Sequence, residues 1–587
     1  MNADDELRTL KTRGAGYAGL ALAQGIGLCL LSAAAAESPT WPATVPTLFR
    51  PLALLCTFLP PLAMLALPRL PRRVAFAWLA AAALATAAVG VHAATRGTVP
   101  HWPSESSVWP RPGVWFALGA ALFAAQALAV PALRARRFRP AYAEVFETAT
   151  RTLLQLGLTA AFVGAFWLVL FAGAALLKLV QIEFLEQLLQ RRWFSYPAGT
   201  LAFAAGLLLL DARPALIAGV RSVLLGLFSW LLPVAALVVA IFLIGLPFVS
   251  LADLWKSRMS ASLLLGMAAA LAAFLNCACQ DGEAPPRGVR GLAVRVAAFE
   301  ILPLVGLAAW GLSVRVGQYG WSAERIEGAA TIGIAAVPGA GYLLAATARG
   351  AWSKRLAATN LAALAAFVAA MLALLTPVAD PARLMVADQS ARLQRGAVPP
   401  DRFDYTALKF DGARWGRAAL EGLAADAAAP AAARQGAQAA LAQTLRFQPQ
   451  PKLSGRDDFR RVVEILPNGR TAPDPLIDAI LATRINDGPT CPPRADRRHC
   501  QLIFVRFAAD RPDSAVFYDG GRASVFDPVT GGGWRLLGKL VGGEYCDEVR
   551  RALAAGGFAP EPPVLPNLRV GDRVLSVLPD TPRRACE

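Results

Sequence analysis

Apolar residues run in eleven long blocks between residues 15 and 377, and past that point the pattern becomes polar and mixed. A hydrocarbon core about 30 Å thick is crossed by roughly 20 helical residues at 1.5 Å each. The blocks approach that length and read as spans at 15–36, 48–67, 74–94, 113–133, 152–177, 195–212, 224–251, 260–279, 292–314, 328–347 and 356–377. The sixth is the shortest and runs into Asp211, Arg213 and Pro214, which mark a helix end. Between the fifth and sixth, residues 178–192 follow a different rhythm. Val180, Phe184, Leu188 and Ile182, Leu185, Leu189 recur at helical spacing against Glu183, Glu186, Arg191 and Arg192. That amphipathic pattern predicts a helix lying in the membrane interface rather than crossing it.

Beyond residue 377 the periods shorten. Asp380 to Gln394 reads as a polar amphipathic helix, and the Ala-rich stretch 414–446 as helix broken near Pro430. Strand patterns follow at 502–508, 514–519, 522–527, 534–540 and 573–579, with turn signals at Asp519-Gly520-Gly521 and Gly531–Gly533. The second and third form a hairpin through Gly520-Gly521, and Cys546 to Gly556 reads as a helix. The pattern predicts a polytopic α-helical membrane protein of about 11 transmembrane helices with a C-terminal α+β extracytoplasmic domain. Its parts are an N-terminal cytoplasmic segment at 1–14, the transmembrane region at 15–377, and a soluble domain at 378–587.

Composition agrees: 56% of residues are hydrophobic and 17% charged. The net charge of +17 changes the picture only through its placement. No basic cluster is interleaved with base-stacking aromatics, so nucleic acid is not a partner. The excess Lys and Arg instead sorts between alternate loops at about two to one, which places the N-terminus in the cytoplasm. Eleven spans then put residues 378–587 outside it, in the periplasm if the membrane is the cell inner membrane. Trp41, Trp102, Trp109, Trp193, Trp255 and Trp321 fall at the predicted outer edges, as interfacial aromatics do. Ala33 to Ala36 resembles a signal-peptide cleavage site, but the apolar stretch before it is nearer 20 residues than the 7–15 of a signal peptide, so it reads as a retained span.

Cysteine placement bears on the same question. Cys29, Cys56, Cys277 and Cys279 lie in apolar blocks, where cysteine acts as a small hydrophobe. Cys491, Cys500, Cys546 and Cys586 all lie in the C-terminal region, an even number suited to an oxidising compartment. Sequence proximity favours pairing Cys491 with Cys500 and Cys546 with Cys586. A zinc site built from Cys491, His499, Cys500 and Cys546 is the rival, and its spacing fits no usual ligand pattern.

Candidate chemistry is sparse. Polar groups inside the hydrocarbon are costly and mark either function or helix-to-helix bonding. Glu300 is the clearest, eight residues into the ninth block with Pro303 close behind to free a backbone carbonyl. Asn276 and Gln280 lie four apart at the end of the eighth block, where a shared helix face suits bonding between helices. Gly14–Gly19, GAGYAG, matches GxGxxG but opens a span rather than following a strand, so its glycines read as close-packing positions. The chain holds only three histidines, and no HExxH, GxSxG or phosphate-binding loop, so no catalytic residue, metal or cofactor is assigned.

Three strings carry a family resemblance. Tyr319, Gly320, Trp321, Ser322 and Arg325 form a Y-G-W-S-x-x-R signature. Leu254 and Trp255 precede Asn276, Gln280, Asp281 and Gly282 in an L-W…N-x-x-x-Q-D-G stretch. Phe403, Asp404, Tyr405, Leu408, Phe410, Arg414 and Gly416 make up the third string. Together they resemble the DUF4153 family of bacterial membrane proteins over residues 150–420. Cys277 and Cys279 depart from its usual small or aromatic residues. The resemblance implies a polytopic membrane protein of unknown function. Within the signature, Gly320 suits a tight turn, Ser322 an N-cap with Glu324 in the first turn, and Arg325 either a cap or a ligand contact.

The expected function is a non-enzymatic envelope scaffold or sensor with a partner-binding outer domain. The alternative is a transporter or flippase with kinks at Pro233, Pro247, Pro303 and Pro338 and a pathway near Glu300. A third is a membrane-embedded transferase on lipid-linked substrates, for which the outer-loop carboxylates are scattered rather than paired. Expected partners are membrane lipids and an envelope protein or lipid-linked saccharide.

Overall fold

The computed structural model describes residues 3–36, 38–97, 108–248, 260–282, 286–347, 352–446, 453, 455–482, 491, 500–507, 512–519, 522–540, 547–558, 568–570 and 573–575. Among them, eleven helices are long and apolar enough to cross a membrane. They are α1 (Ala3–Ala34), α2 (Pro46–Ala66), α3 (Arg72–Arg96), α4 (Pro112–Ala135), α5 (Tyr142–Leu179), α7 (Arg192–Asp211), α8 (Pro214–Gly245), α9 (Ser260–Cys279), α10 (Gly288–Tyr319), α11 (Ala323–Thr347) and α12 (Trp352–Leu374), with the short α6 (Phe184–Gln190) between α5 and α7. Each coincides with one predicted block. This is a polytopic helical membrane protein, and Phe116, Leu168, Val169, Leu227 and Ile241, all strongly exposed on the unit, are surface that a bilayer covers.

Three helices, α1 among them, begin about ten to twelve residues before their apolar runs. Pro214 at the first helical position starts α8, and α5 starts at Tyr142. Helix starts follow capping and proline geometry, and polar residues extend a helix as readily as apolar ones. The interfacial segment needs correction in the same sense. Its first residues complete α5, Gln181 then takes a left-handed φ of 63°, and α6 spans only seven residues, with Phe184 exposed and Leu189 buried. Close helix packing on α1 follows the prediction at Gly14, where a Cβ would stand 3.2 Å from Leu208 of α7, and otherwise falls elsewhere. Gly16 and Gly19 face open space, whereas a Cβ on Gly25 would stand 2.5 Å from Pro197 Cα of α7.

Four further helices complete the first compact unit, which ends at Arg446: α13 (Pro381–Gln394), α14 (Tyr405–Asp411), α15 (Ala413–Ala425) and α16 (Ala431–Ala442). The break at Pro430 and the helix after Asp380 match expectation. Their shared core joins Met385 and Val386 of α13, Tyr405 and Leu408 of α14, Leu420 of α15 and Ala437 of α16 to Ile326 of α11. The apolar blocks thus end near residue 377, while the compact unit carries on to Arg446.

The second unit, 447–587, is a small α+β structure. Its five-stranded sheet runs in the order β1 (Glu464–Leu466), β2 (Gln501–Val505), β3 (Ser514–Tyr518), β4 (Ala523–Val529), β5 (Gly533–Leu540), with β1 parallel to β2 and the rest antiparallel. Helices α17 (Arg456–Val462) and α18 (Asp474–Leu481) bury Phe459, Leu476, Ile477 and Ile480 against Leu502, Ala515, Phe517 and Phe526. The predicted hairpin pairs Tyr518 with Ala523. Helix α19 (Asp547–Ala554) lies where a helix was expected. Of the fifth predicted strand the described residues form β7 (Arg573–Leu575), paired with β6 (Leu568–Val570) apart from the main sheet, and 576–579 lie outside the described residues.

Candidate functional site

The signature turn lies between α10 and α11, and α13 grips it. Gly320 holds φ 75° with ψ −174°, a conformation essentially reserved for glycine. A Cβ there would meet Arg392, Gln389 and Asp388 within 2.7 Å. Those three side chains make the grip. Asp388 Oδ2 accepts from Trp321 N at 2.8 Å. Gln389 Nε2 donates to Tyr319 O at 3.0 Å and to Trp321 O at 2.8 Å, and Arg392 Nη2 donates to Gln318 O at 3.1 Å. Ser322 Oγ caps α11 by accepting from Arg325 N at 3.3 Å, as the sequence predicts. Arg325 turns back on its own turn, donating to Gly320 O at 2.6 Å and lying 5.5 Å over the Tyr319 ring. Of the two roles open to it, this geometry is that of a cap. The Tyr319 side chain itself is exposed.

A second tie was not legible. Asp380, 1% exposed, caps α13 by accepting through Oδ1 from Ala382 N at 2.8 Å and Arg383 N at 3.3 Å. Its Oδ2 lies 2.8 Å from His92 Nε2 and 3.3 Å from Arg96 Nε. Burial works to raise this carboxyl, but the bond from His92, the Arg96 charge and the two backbone N–H groups outweigh it and hold Asp380 below the usual carboxylate range. An ionised carboxylate only accepts, so Nε2 of His92 carries the hydrogen. Trp415 of α15 lies 6.2 Å from the His92 ring. Beside the pair lies a cavity of about 30 Å³ lined by Arg50, His92, Arg96, Arg111 and Asp380. That is room for one or two waters and no organic substrate. No serine, threonine or cysteine lines it among the described residues.

Asn276 sits in a closed neutral knot joining four helices. Its Oδ1 accepts from Tyr142 Oη of α5 at 3.1 Å and Asn360 Nδ2 of α12 at 2.6 Å. Its Nδ2 donates to Ala272 O and to Tyr342 Oη of α11, both at 2.8 Å. Tyr342 in turn donates to Asn360 Oδ1 at 2.5 Å. Gln280 does not share this role. Helix α9 stops at Cys279, and Gln280 follows it exposed, with a left-handed φ of 50°. Asp211 belongs to another network at the same ends of the helices. It accepts from Tyr17 Oη and Gln155 Nε2, each at 2.7 Å, while Arg69 donates to Gln155 Oε1 at 2.6 Å and Thr152 Oγ1 at 3.0 Å. A sequence reading sees in Asp211 only the end of a helix.

Glu300 is 5% exposed on α10, flanked by the buried Ala297, Ala298, Ile301 and Leu304. Neither carboxylate oxygen has a hydrogen-bond partner among the described residues. Cys491 and Cys500 form a disulfide with Cα atoms 5.4 Å apart, which removes them from any zinc set. Cys546, Cys586, His499, Leu254 and Trp255 lie outside the described residues. Among the described residues no group of three or more His, Cys, Asp or Glu is placed to hold a metal ion. No family model, curated protein or solved structure matches the chain.

Proposed function

We propose that the chain is a scaffold or sensor of the cell inner membrane. Its N-terminus is cytoplasmic, helices α13–α16 and the sheet unit are periplasmic, and the sheet unit binds an envelope protein. The observation that carries this reading is the grip of α13 on the α10–α11 turn. Four hydrogen bonds and the Asp380 tie fasten the extramembrane helices to the spans, as an element that relays or anchors force requires. Orientation is supported by the Lys and Arg bias and by the Cys491–Cys500 disulfide, which suits an oxidising compartment. The DUF4153 resemblance is supported by the same turn, since Tyr319, Gly320, Trp321, Ser322 and Arg325 all take part in its geometry or lie against it.

Extraction in native membrane patches, cross-linking and mass spectrometry test this. A stoichiometric protein cross-linked to residues 447–587 is expected, and a lipid-linked saccharide recovered with no protein overturns the reading. A reporter active only outside the cytoplasm, fused after Glu587, is expected to be active. Transport through the spans is the second reading, favoured by the unpartnered carboxylate of Glu300. Glu300→Gln then abolishes a transport phenotype at unchanged abundance, and unchanged transport sinks it.

A further inference from the structure

A groove of about 1090 Å³ lies between α3, α4 and α12 and reaches the turn that joins α4 to α5. Ala125, Ala129 and Ala132 of α4 and Ala358, Ala362 and Ala365 of α12 line it, and larger side chains at these positions would fill the space. Its lining runs from Ala125 to Leu133 on α4 and from Ala358 to Val368 on α12. At 1.5 Å per residue these stretches are about 12 and about 15 Å long, close to half of a hydrocarbon core about 30 Å thick. The groove is therefore about one leaflet deep, the reach of acyl chains whose headgroup sits at the end of the bundle.

All the charge on the lining is of one sign and at one end. Arg136, Arg137 and Arg139 line the groove where α4 stops, all three exposed, and no acidic residue lines it among the described residues. Their side chains make no hydrogen bond or ion pair with another described residue. Arg136 ends α4 in the left-handed conformation, with φ 51°, and its N–H and that of Arg137 bond to the carbonyls of Leu133 and Ala132. Glycine takes that capping position without strain. Here the chain accepts backbone strain at an arginine that lines the groove.

A soluble anion suits the arginines and makes no use of the apolar groove. A zwitterionic lipid suits the groove but brings its own cation to three unpaired guanidinium groups. We propose that the groove binds an anionic phospholipid. Its phosphate lies among Arg136, Arg137 and Arg139, whose planar forks match phosphate oxygens, and its acyl chains lie along α4 and α12. This site does not depend on the sheet unit having a partner. An inverted orientation of the chain moves it to the other leaflet and leaves the binding unchanged.

The test uses the full chain in phosphatidylcholine nanodiscs, with phosphatidylglycerol bearing an acyl-chain diazirine as probe. Phosphatidylcholine with the same diazirine chain is the control, and unlabelled phosphatidylglycerol the competitor. Expected are cross-links on the lining segments of α3, α4 and α12, at least about tenfold above the control and removed by the competitor. Arg136→Gln with Arg137→Gln and Arg139→Gln brings labelling down to the control level. Arg213→Gln with Arg287→Gln and Arg295→Gln removes the same charge from exposed arginines outside the groove, at the same end of the bundle, and leaves labelling unchanged. Ala362→Trp, at an exposed position, obstructs the groove and lowers labelling. If the tryptophan variant does not purify as a single species, the two triple variants decide. Full labelling of the groove triple overturns the proposal. So does an equal loss in both triples, which marks general attraction to an anionic surface. Displacement of the probe by inorganic phosphate, equal labelling by the control probe, or labelling confined to positions such as Leu168 and Val169 overturns it as well.

Discussion

Asn276 and Glu300 lie on neighbouring helices, α9 and α10, beside the same buried cluster. Every polar atom of the Asn276 side chain has a partner, drawn from its own helix and from three others. Neither carboxylate oxygen of Glu300 has one among the described residues. The difference is chemical before it is positional. An amide carries donor and acceptor together and closes into a neutral ring with tyrosines and a second asparagine. A carboxylate presents acceptors only, and needs cations or N–H groups that a helix packed with Ala297, Ala298 and Ile301 does not supply. Asp380 marks the compensated extreme: a buried carboxylate with His92, Arg96 and two backbone N–H groups around it. Polar residues in this unit therefore divide into ties already closed and groups still open, and a search for function belongs with the open ones.

The largest effect is expected where compensation is most complete. Asp380→Ala leaves the buried His92 and the half-buried Arg96 without their shared acceptor and uncaps α13. Breaking a buried pair from one side costs about 3–5 kcal/mol. Thermal unfolding of the purified full chain reads this as a large fall in Tm, and a change under about 1 kcal/mol removes Asp380 from the compensated class. The pH dependence has a fixed sign. A carboxyl held low in the folded state contributes stability that is complete above its unfolded value of about 3.9 and lost as pH falls through its lower folded value. The loss therefore begins only below about pH 4 and is absent in the variant.

Gly320→Ala comes next. It forces a side chain into a backbone region that costs of order 1–3 kcal/mol and into contact with three gripping side chains. Because the cost is local, hydrogen exchange at the Trp321 amide, which donates to Asp388, is the sharper readout. Exchange roughly 30-fold faster corresponds to about 2 kcal/mol, and unchanged exchange means that the turn is held without the grip. Asn276→Leu follows at about 1–2 kcal/mol, because bonds between membrane helices average about 0.6 kcal/mol each. Tyr342 and Asn360 keep their mutual bond in that variant. The double replacement with Asn360→Leu is expected to cost less than the sum of the single losses, because the Asn276–Asn360 bond is lost in each single variant and only once in the double, and strict additivity breaks the knot into independent contacts.

These sites were unequally legible in the sequence. The eleven spans were readable because bilayer thickness sets a length that each apolar run must meet. Glu300 was readable because a carboxylate within such a run stands out. The partner of His92 was not, since Asp380 lies 288 residues away and no local period links them. The same holds for Asn276, whose partner Asn360 is 84 residues distant. Gln280 looked equivalent to Asn276 because helical spacing was carried past the point where α9 stops. In the second unit β1, of three residues, and the seven-residue α17 are too short to show a period, while the longer alternating runs of β2 to β5 showed theirs.

The smallest expected effect has the opposite sign and tests the comparison most directly. Glu300→Leu removes two unpartnered buried oxygens and places an apolar side chain of similar reach among Ala297, Ala298, Ile301 and Leu304. Replacing an uncompensated buried group with a well-packed apolar one is neutral or stabilising, so Tm is expected to hold or rise by the equivalent of up to about 1 kcal/mol. Glu300→Gln is the control for shape. It keeps the reach but leaves an amide whose donors and acceptor are as isolated as the carboxyl oxygens were, so it gains less than leucine. A loss of more than about 1 kcal/mol in the leucine variant, recovered in the glutamine one, would mean that Glu300 is tied into the unit as Asn276 is. The two residues would then belong to one class. If leucine stabilises the protein while impairing its work in the cell, the open carboxylate is retained for function at the expense of stability, the pattern expected of a working group rather than a tie.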